Sequence, residues 1–180
     1  VLVGNPNTGK TTVFNSLCGA RAKTSNFPGT TTATRTGRTE LDGNATIEVL
    51  DIPGIYELHL DSAESRIARE VLQRRDETGV AVVIVDASNL TRSLVLVGQM
   101  LAHDVPVVVV LNMVDIAQRR GLTVNPAILE RRLGVRVIPM VARRAEGLEP
   151  LKRAIATALT SPRSARPADL PLDADALDQL

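Results

Sequence analysis

Apolar, β-branched runs alternate along this chain with segments whose apolar residues recur at helical spacing. The runs predict strands near 1–4, 45–51, 80–86, 105–111 and 135–140. The helical spacing predicts helices near 10–19, 62–75, 91–103, 126–133 and 148–160. Such alternation is typical of a parallel sheet that is covered by helices on both faces, so we predict an α/β fold.

One connection in this pattern differs from the others. Residues 34–41 form a further extended run, and Asp42-Gly43 predicts a tight turn into the strand that ends at Asp51. This adds one antiparallel edge strand and gives a mostly parallel, six-stranded sheet with five helices. The fourth helix is marked by Asn125 as its cap and by Pro126 in its first turn.

The loop after the first strand matches a phosphate-binding pattern. Gly4, Gly9, Lys10 and Thr11 fit G-x-x-x-x-G-K-[ST] between a strand and a helix. Backbone N–H groups, the helix N-terminus and Lys10 then point at the β- and γ-phosphates, and the Thr11 hydroxyl is offered to Mg²⁺. The residues predicted to contact the nucleotide here are Asn5, Pro6, Asn7, Thr8, Gly9, Lys10, Thr11 and Thr12.

Two further stretches predict contacts with magnesium and the γ-phosphate. In "DIPG", Asp51 ends an apolar strand, where its carboxylate can reach Mg²⁺ through water, and the Gly54 N–H can meet the γ-phosphate. The polar, glycine-rich "NFPGTTTATRTG" predicts a mobile loop whose Thr31 becomes the second hydroxyl ligand of Mg²⁺. Thr30 and Thr32 stay open as alternatives for that role.

The stretch "NMVD" bears on which base is bound. It follows a buried apolar strand and contains Asn112, Met113 and Asp115. A carboxylate at Asp115 can accept hydrogen bonds from N1–H and the 2-amino group of guanine. Adenine has an acceptor at N1 and no 2-amino group, so two charge-assisted hydrogen bonds favour guanine strongly.

Composition narrows the function classes. There are 21 Lys and Arg against 20 Asp and Glu, a formal charge of +1, which disfavours a general nucleic-acid-binding role. The arginine pairs at 74, 119, 131 and 143 are interpreted as solvated faces. Cys18 is the single cysteine, which excludes an internal disulfide, suits the cytoplasm and predicts a small core residue. No apolar run approaches the roughly 20 residues of a membrane span.

The order and spacing of "GNPNTGKT", "NFPGTTT", "DIPGIY" and "NMVD" resemble the GTPase domain of the bacterial ferrous iron transport protein B (FeoB) family. "SAESRIAREVL", "VDASNLTRSLVLVGQML" and "LGVRVIPMVARRAEGLEPL" extend the resemblance over roughly residues 1–155. The resemblance implies a P-loop NTPase G domain over 1–160. Residues 161–180 are then a linker or the start of a following helical domain.

The resemblance also implies a cellular setting. The domain is expected at the cytoplasmic face of the cell membrane, joined to helical and transmembrane iron-transport domains of the same polypeptide. It would bind and hydrolyse GTP and so regulate or drive ferrous iron uptake. The chain begins at Val1 without a methionine, which suits a part of a longer polypeptide.

Site roles follow from the same resemblance. In the family, the asparagine at the position of Asn7 is associated with a potassium ion that assists hydrolysis, and the loop around 26–31 helps to enclose it. The residues expected to take part in catalysis are Lys10, Thr31, Gly54 and Asn7. The expected metal ligands are Thr11, Thr31 and Asp51 for Mg²⁺ and Asn7 for K⁺.

Three positions depart from related patterns. The fifth nucleotide box, usually Ser-Ala-Arg or Ser-Ala-Lys, is Val141-Ala142-Arg143, so the Ala142 N–H can meet guanine O6 but a serine hydroxyl is missing. Thr8 stands where serine or cysteine is more usual. Ile55 stands where many small GTPases carry a glutamine that orients the attacking water, which predicts slow turnover and near-normal activity in Ile55→Ala.

Two alternatives remain open. One is a ribosome- or tRNA-associated GTPase, although the three aromatic residues Phe14, Phe27 and Tyr56 leave little to stack on bases. The other is a slow GTP-dependent binding switch that turns over only with a partner. The activating partner and a homo-oligomeric state also stay open.

Overall fold

A computed structural model describes residues 1–19, 23–26, 33–41, 45–73 and 79–160. Within these ranges the strands are β1 Leu2–Gly4, β2 Lys23–Asn26, β3 Ala33–Glu40, β4 Thr46–Asp51, β5 Ala81–Asp86, β6 Val107–Asn112 and β7 Val137–Pro139. The helices are α1 Lys10–Cys18, α2 Ala63–Gln73, α3 Leu90–Leu101, α4 Val114–Arg119, α5 Pro126–Leu133 and α6 Leu148–Thr160, with a 3-10 turn at Ala142–Arg144. None of these helices is long and apolar enough to cross a membrane.

The strand order is β2-β3-β4-β1-β5-β6-β7. Strands β4, β1, β5, β6 and β7 run parallel, while β3 is antiparallel to both β2 and β4. Pairing of Gly4 with Ile84 and of Asp86 with Asn112 brings the carboxyl ends of β1, β5 and β6 to one edge. Strand order reverses at β1, and ligands of open α/β sheets bind at such a switch point.

The core lies on both faces of the sheet, because the central strands are apolar throughout. In β5, Val83 and Val85 face a cluster formed with α2–α5, whereas Val82 and Ile84 face a cluster formed with α1 and α6. This is the period of two that a strand buried on both sides requires. Cys18 is buried in the second cluster, as predicted.

The α/β class and the mostly parallel sheet are confirmed, but the part of the chain that is described has seven strands and six α-helices rather than six and five. The additional strand, Lys23–Asn26, is short and polar and exists by pairing with β3, from Lys23 opposite Thr36 to Asn26 opposite Ala33. The additional helix, Val114–Arg119, has only six residues, too few for a helical period to be visible in the sequence.

The predicted cap of α5 is confirmed. Asn125 Oδ1 accepts from Ala127 N at 3.0 Å and from Ile128 N at 3.3 Å, with Pro126 in the first turn. The predicted turn at Asp42-Gly43 and the linker at 161–180 lie outside the described residues.

Candidate nucleotide-binding site

The loop from β1 to α1 follows a path that only glycine permits at two positions. Gly9 has φ +83°, and a Cβ there would collide with Asn112 Nδ2. A Cβ on Gly4 would lie 2.7 Å from the Ile84 carbonyl oxygen. Asn7 also has a left-handed backbone, with φ 66°, and its side chain is exposed. The loop therefore lies close against the ends of β5 and β6 while Asn7 faces outward.

Two polar side chains of this loop point inward and hold its shape. Thr8 Oγ1 donates to the Asn5 carbonyl oxygen at 2.9 Å, and Asn5 Nδ2 donates to the Arg92 carbonyl oxygen at 3.3 Å. Both side chains are buried. The predicted nucleotide contacts of Asn5 and Thr8 would therefore come from their backbone groups, and Thr8 in place of serine keeps a hydroxyl that closes the turn.

Three predicted phosphate and magnesium residues meet where β1 and β4 end. Lys10 Nζ donates to Asp51 Oδ1, in an ion pair whose side chains are 9% and 4% exposed. Thr11 Oγ1 lies 3.5 Å from Asp51 Oδ2. A hydroxyl and a carboxylate are the oxygen ligands that Mg²⁺ takes beside a bound phosphate, so the donor set fits that ion. Thr31, the other predicted ligand, and its alternatives Thr30 and Thr32 lie outside the described residues.

The segment after Asp51 lies against the phosphate loop. A Cβ on Gly54 would come within 2.9 Å of Pro6 N, and Ile55 N donates to the Gly4 carbonyl oxygen at 3.1 Å. The Ile55 side chain is only 3% exposed and packs in the core. Ile55→Ala would thus open a cavity and lower stability, while the near-normal activity expected of this variant stays a prediction.

The next turn of this segment is held by side chains that the sequence did not single out. Gln99 Oε1 on α3 accepts from Leu58 N at 2.6 Å, and Ser65 Oγ on α2 donates to the Glu57 carbonyl oxygen at 2.7 Å. Arg69, also on α2, donates to the Leu58 carbonyl oxygen. These bonds connect the segment beside the phosphate loop to two helices, and isolated Gln, Ser and Arg residues carry no sequence signal for such a role.

At the end of β6, Asn112 joins the two loops on either side of it. Its Nδ2 donates to the Thr8 carbonyl oxygen at 2.9 Å, and its Oδ1 accepts from Ala142 N at 3.1 Å. Ser16 Oγ on α1 lies 3.1 Å from the Ala142 carbonyl oxygen. The Ala142 N–H, predicted to meet guanine O6, is therefore engaged by Asn112 here, and the O6 contact stays a prediction.

The predicted base-recognition carboxylate lies beyond Asn112. Met113 turns the chain with φ 63°, and Asp115 lies in the first turn of α4. Arg119 Nη2 donates to Asp115 Oδ2 at 3.0 Å, and Arg143 Nη2 donates to the same oxygen. Val141, in place of the usual serine, is buried, and its N–H donates to the Glu146 carbonyl oxygen at 3.1 Å.

Asp115 stays ionised in this setting. Partial desolvation raises the pKa of its carboxyl, but the charges and hydrogen bond of Arg143, with Arg119 and Arg144, outweigh this and hold the pKa below its usual value. The carboxylate lines an open cleft of about 480 Å³ with Gln118, Arg119, Arg143 and Arg144. Arg119, interpreted from sequence as part of a solvated face, is thus part of the site. If α4 had been predicted as a helix, the four-residue spacing from Asp115 to Arg119 would have indicated that these two side chains are in contact.

The family profile described as Ferrous iron transport protein B matches residues 1–155. The chain belongs to the FeoB family. The Fe(2+) transporter FeoB of Shigella flexneri is 39% identical over 157 residues, which are 86% of this chain and 20% of that protein. The chain therefore spans about a fifth of the length of the curated FeoB relatives it matches.

Solved FeoB domains share the fold. The G domain of the T. maritima FeoB iron transporter has a TM-score of 0.81 at 32% identity, covering 87% of this chain and 95% of that one. The cytosolic domain of the same transporter in its GMPPNP form has a TM-score of 0.85 at 29% identity, covering 93% and 66%. The fold of this chain is that of the FeoB G domains, a P-loop NTPase fold.

Proposed function

We propose that this chain is a G domain, over residues 1–160, that binds GTP and GDP with Mg²⁺ and hydrolyses GTP. One observation carries the proposal: Asn112, at the end of β6, joins the phosphate loop at Thr8 to the turn at Ala142, and the next residue of that turn, Arg143, contacts Asp115. The FeoB relative solved in its GMPPNP form supports a nucleoside triphosphate as the ligand.

The residues take the following roles in this proposal. Backbone N–H groups of the phosphate loop and Lys10 hold the β- and γ-phosphates, while the Gly54 N–H faces the γ-phosphate. Thr11, Asp51 and Thr31 would hold Mg²⁺, which when bound neutralises charge on the β- and γ-oxygens. Asn7, exposed beside the loop, would hold K⁺ through its carboxamide oxygen. A water oxygen bonds to the γ-phosphorus as the bond from that phosphorus to the β–γ bridging oxygen breaks. GDP leaves with the bridging oxygen, and a proton of the water passes to the released phosphate.

Base selectivity rests on Asp115. Its ionised carboxylate offers two acceptor oxygens to the N1–H and 2-amino donors of guanine, whereas adenine presents an acceptor at N1. We expect Asp115→Asn to prefer xanthine nucleotides, because an amide can donate to the 2-oxo group that replaces the 2-amino group.

Competition binding with GTP, ATP and XTP tests the base assignment. The unmutated chain should rank GTP first and Asp115→Asn should rank XTP first. Asp104→Asn, an exposed aspartate in the loop between α3 and β6, is the matched control and should keep the ranking of the unmutated chain. An unchanged ranking in Asp115→Asn refutes guanine recognition by this residue.

Turnover is proposed to be slow. The first side chain after "DIPG" is Ile55, which is buried and has no group that could bind water. This favours a second candidate, a GTP-dependent switch that reaches useful rates only with a partner. Comparing the rate of single-turnover hydrolysis with the rate of nucleotide exchange separates the GTPase from the switch. A switch without its partner releases GTP faster than it hydrolyses it.

The transport role is proposed for the whole polypeptide. The chain would act at the cytoplasmic face of the cell membrane, attached to helical and transmembrane iron-transport domains, and would regulate or drive ferrous iron uptake. Iron uptake by cells that depend on the full polypeptide should fall when it carries Asp115→Asn and should persist when it carries Asp104→Asn. Equal uptake by both variants would contradict a nucleotide-dependent role in transport.

A further inference from the structure

The base-recognition carboxylate is engaged by two arginines of the chain itself. Arg119 comes one helical turn after Asp115 on α4, and Arg143 lies in the 3-10 turn that follows β7. Both guanidinium groups donate to Asp115 Oδ2. Two cations from separate elements therefore converge on one carboxylate oxygen.

A guanidinium group and the edge of guanine present similar donors. Each is planar and carries neighbouring N–H groups that fit the two oxygens of a carboxylate. In guanine these donors are N1–H and the 2-amino group, and in arginine they are the terminal N–H groups of the fork. An arginine on Asp115 therefore uses acceptor capacity that the base would need.

We propose that Arg143 and Arg119 compete with guanine for Asp115 and so lower the affinity of the chain for guanine nucleotides. The inference rests on the proposed function, in which Asp115 recognises the base. The arginines would act as an internal substitute that neutralises the carboxylate while no nucleotide is bound and moves into solvent when the base arrives.

Exposure shows that such an exchange is open to these side chains. Arg119 and Arg143 are 64% and 56% exposed, whereas Asp115 is 13% exposed. The guanidinium groups can therefore swing into water while the carboxylate stays in place. Exposed ion pairs are weak, so the base can displace them. Only molecules whose Asp115 carboxylate is free of arginine can accept the base at once, so the apparent affinity falls in proportion to the fraction of molecules in which an arginine occupies it.

A neighbouring arginine provides a matched control. Arg144 lies next to Arg143 and is 52% exposed, but it pairs with Glu146 at 2.8 Å. Arg144→Gln removes the same positive charge from the same turn and leaves the partners of Asp115 intact. This variant therefore measures how much nucleotide binding weakens when the cleft loses one positive charge and so attracts an anionic nucleotide less strongly.

The test measures association rate and affinity for fluorescent GDP in the chain and in Arg143→Gln, Arg119→Gln and Arg144→Gln. A related FeoB G domain was solved as a separate chain, which supports work on the isolated domain. Arg143→Gln and Arg119→Gln should each tighten GDP binding about two- to fivefold through faster association. Arg144→Gln should not tighten GDP binding, because Arg144 pairs with Glu146 and makes no hydrogen bond to Asp115.

A double-mutant cycle assigns the effect to Asp115. In Asp115→Asn, assayed with XDP, the neutral amide no longer holds the arginines, so adding Arg143→Gln should change affinity less than about twofold, the scatter expected for uncoupled sites. Persistence of the full effect in this background overturns the inference.

Other outcomes also discriminate. Weaker GDP binding in Arg143→Gln, or equal tightening in Arg144→Gln, overturns the inference while GDP binding by the unmutated chain still upholds the proposed function. Failure of the unmutated chain to bind GDP at all refutes the proposed function and this inference with it.

Discussion

Lys10 and Asp51 form a buried ion pair that joins the start of α1 to the end of β4. In the proposed site the lysine would bind the phosphates and the aspartate would bind magnesium. Each of these groups neutralises the other, which avoids an isolated buried charge. In the proposed function, a bound magnesium nucleotide would replace this ion pair, with Lys10 holding phosphate and Asp51 holding the metal.

This pairing predicts a strong dependence of stability on both partners. Lys10→Met leaves the Asp51 carboxylate buried without its cation, and Asp51→Asn leaves the ammonium group without its anion. Each single substitution should lower the free energy of unfolding by about 3 to 5 kcal/mol. The double variant should lose clearly less than the sum of the two, as measured by urea denaturation without nucleotide. Additive losses would mean that the pair contributes nothing as a pair.

Asn112 predicts a coupling between the phosphate loop and the fifth nucleotide box. Asn112→Ala removes the partners of the Thr8 carbonyl and the Ala142 N–H, which are held at 2.9 and 3.1 Å. Leaving both groups unpaired should cost about 2 to 5 kcal/mol of stability and should weaken GDP binding as well. Thermal unfolding and GDP titration measure the two effects.

The control for Asn112 is Asn89→Ala. Asn89 is exposed at the N-terminus of α3 and its side chain makes no capping hydrogen bond. Its replacement should change stability by less than about 0.5 kcal/mol. If Asn112→Ala were as mild as Asn89→Ala, the two loops would be held together by other contacts.

The sequence predicted the elements whose signal is local. The continuous apolar runs of β5 and β6 and the Asn125-Pro126 start of α5 are visible without a fold. Strand β2 and helix α4 are short and depend on neighbours, namely β3 for the strand and the end of β6 for the helix. Their residues carry too little periodicity to predict them.

The candidate site divides in the same way. Glycines, Lys10, Asp51 and Asp115 stand in recognisable patterns, because the backbone path and the ligand chemistry constrain those residue types. Contacts between distant elements, such as Arg143 on Asp115 or Gln99 on Leu58, depend on where α4, α3 and the 3-10 turn lie in space. No spacing in the sequence encodes such placement, so only the three-dimensional structure reveals these contacts.

Potassium should accelerate hydrolysis relative to sodium, and Asn7 should carry most of the difference. A carboxamide oxygen beside the phosphate loop can help to hold a cation near the β- and γ-phosphates. Phosphate release from GTP is compared in matched KCl and NaCl for the unmutated chain and Asn7→Ala. Equal rates in the two salts for the unmutated chain would exclude the potassium role.

The backbone at Asn7 calls for a second variant. Its φ of 66° is strained for alanine but easy for glycine. Asn7→Gly therefore removes the carboxamide without backbone strain and should lose the potassium effect as fully as Asn7→Ala. If Asn7→Gly kept the effect, the loss in alanine would reflect a distorted loop.

Ile55 should matter for stability more than for chemistry. Its side chain packs in the core, so Ile55→Ala should lower the free energy of unfolding by about 2 to 5 kcal/mol and Ile55→Val by about 0.5 to 1.5 kcal/mol. Single-turnover hydrolysis per folded molecule, measured well below the melting temperature, should stay near normal in both. A rate that collapses in Ile55→Val despite full folding would assign the side chain a role in catalysis.

Thr31→Ala should slow hydrolysis about ten- to a thousandfold, the scale of roughly 1.4 to 4 kcal/mol of lost transition-state stabilisation. The reason is that the Thr31 hydroxyl is proposed as a ligand of Mg²⁺. Ile55 has no group that could orient the attacking water, so that water must be oriented by the loop that contains Thr31, by the cation at Asn7 or by a partner. Single-turnover hydrolysis at saturating GTP is the measurement, with Thr31→Ser expected to retain most of the rate because it keeps the hydroxyl. Thr30→Ala and Thr32→Ala test the alternative ligands, and a collapse in either one with Thr31→Ala unaffected moves the magnesium ligand to that threonine.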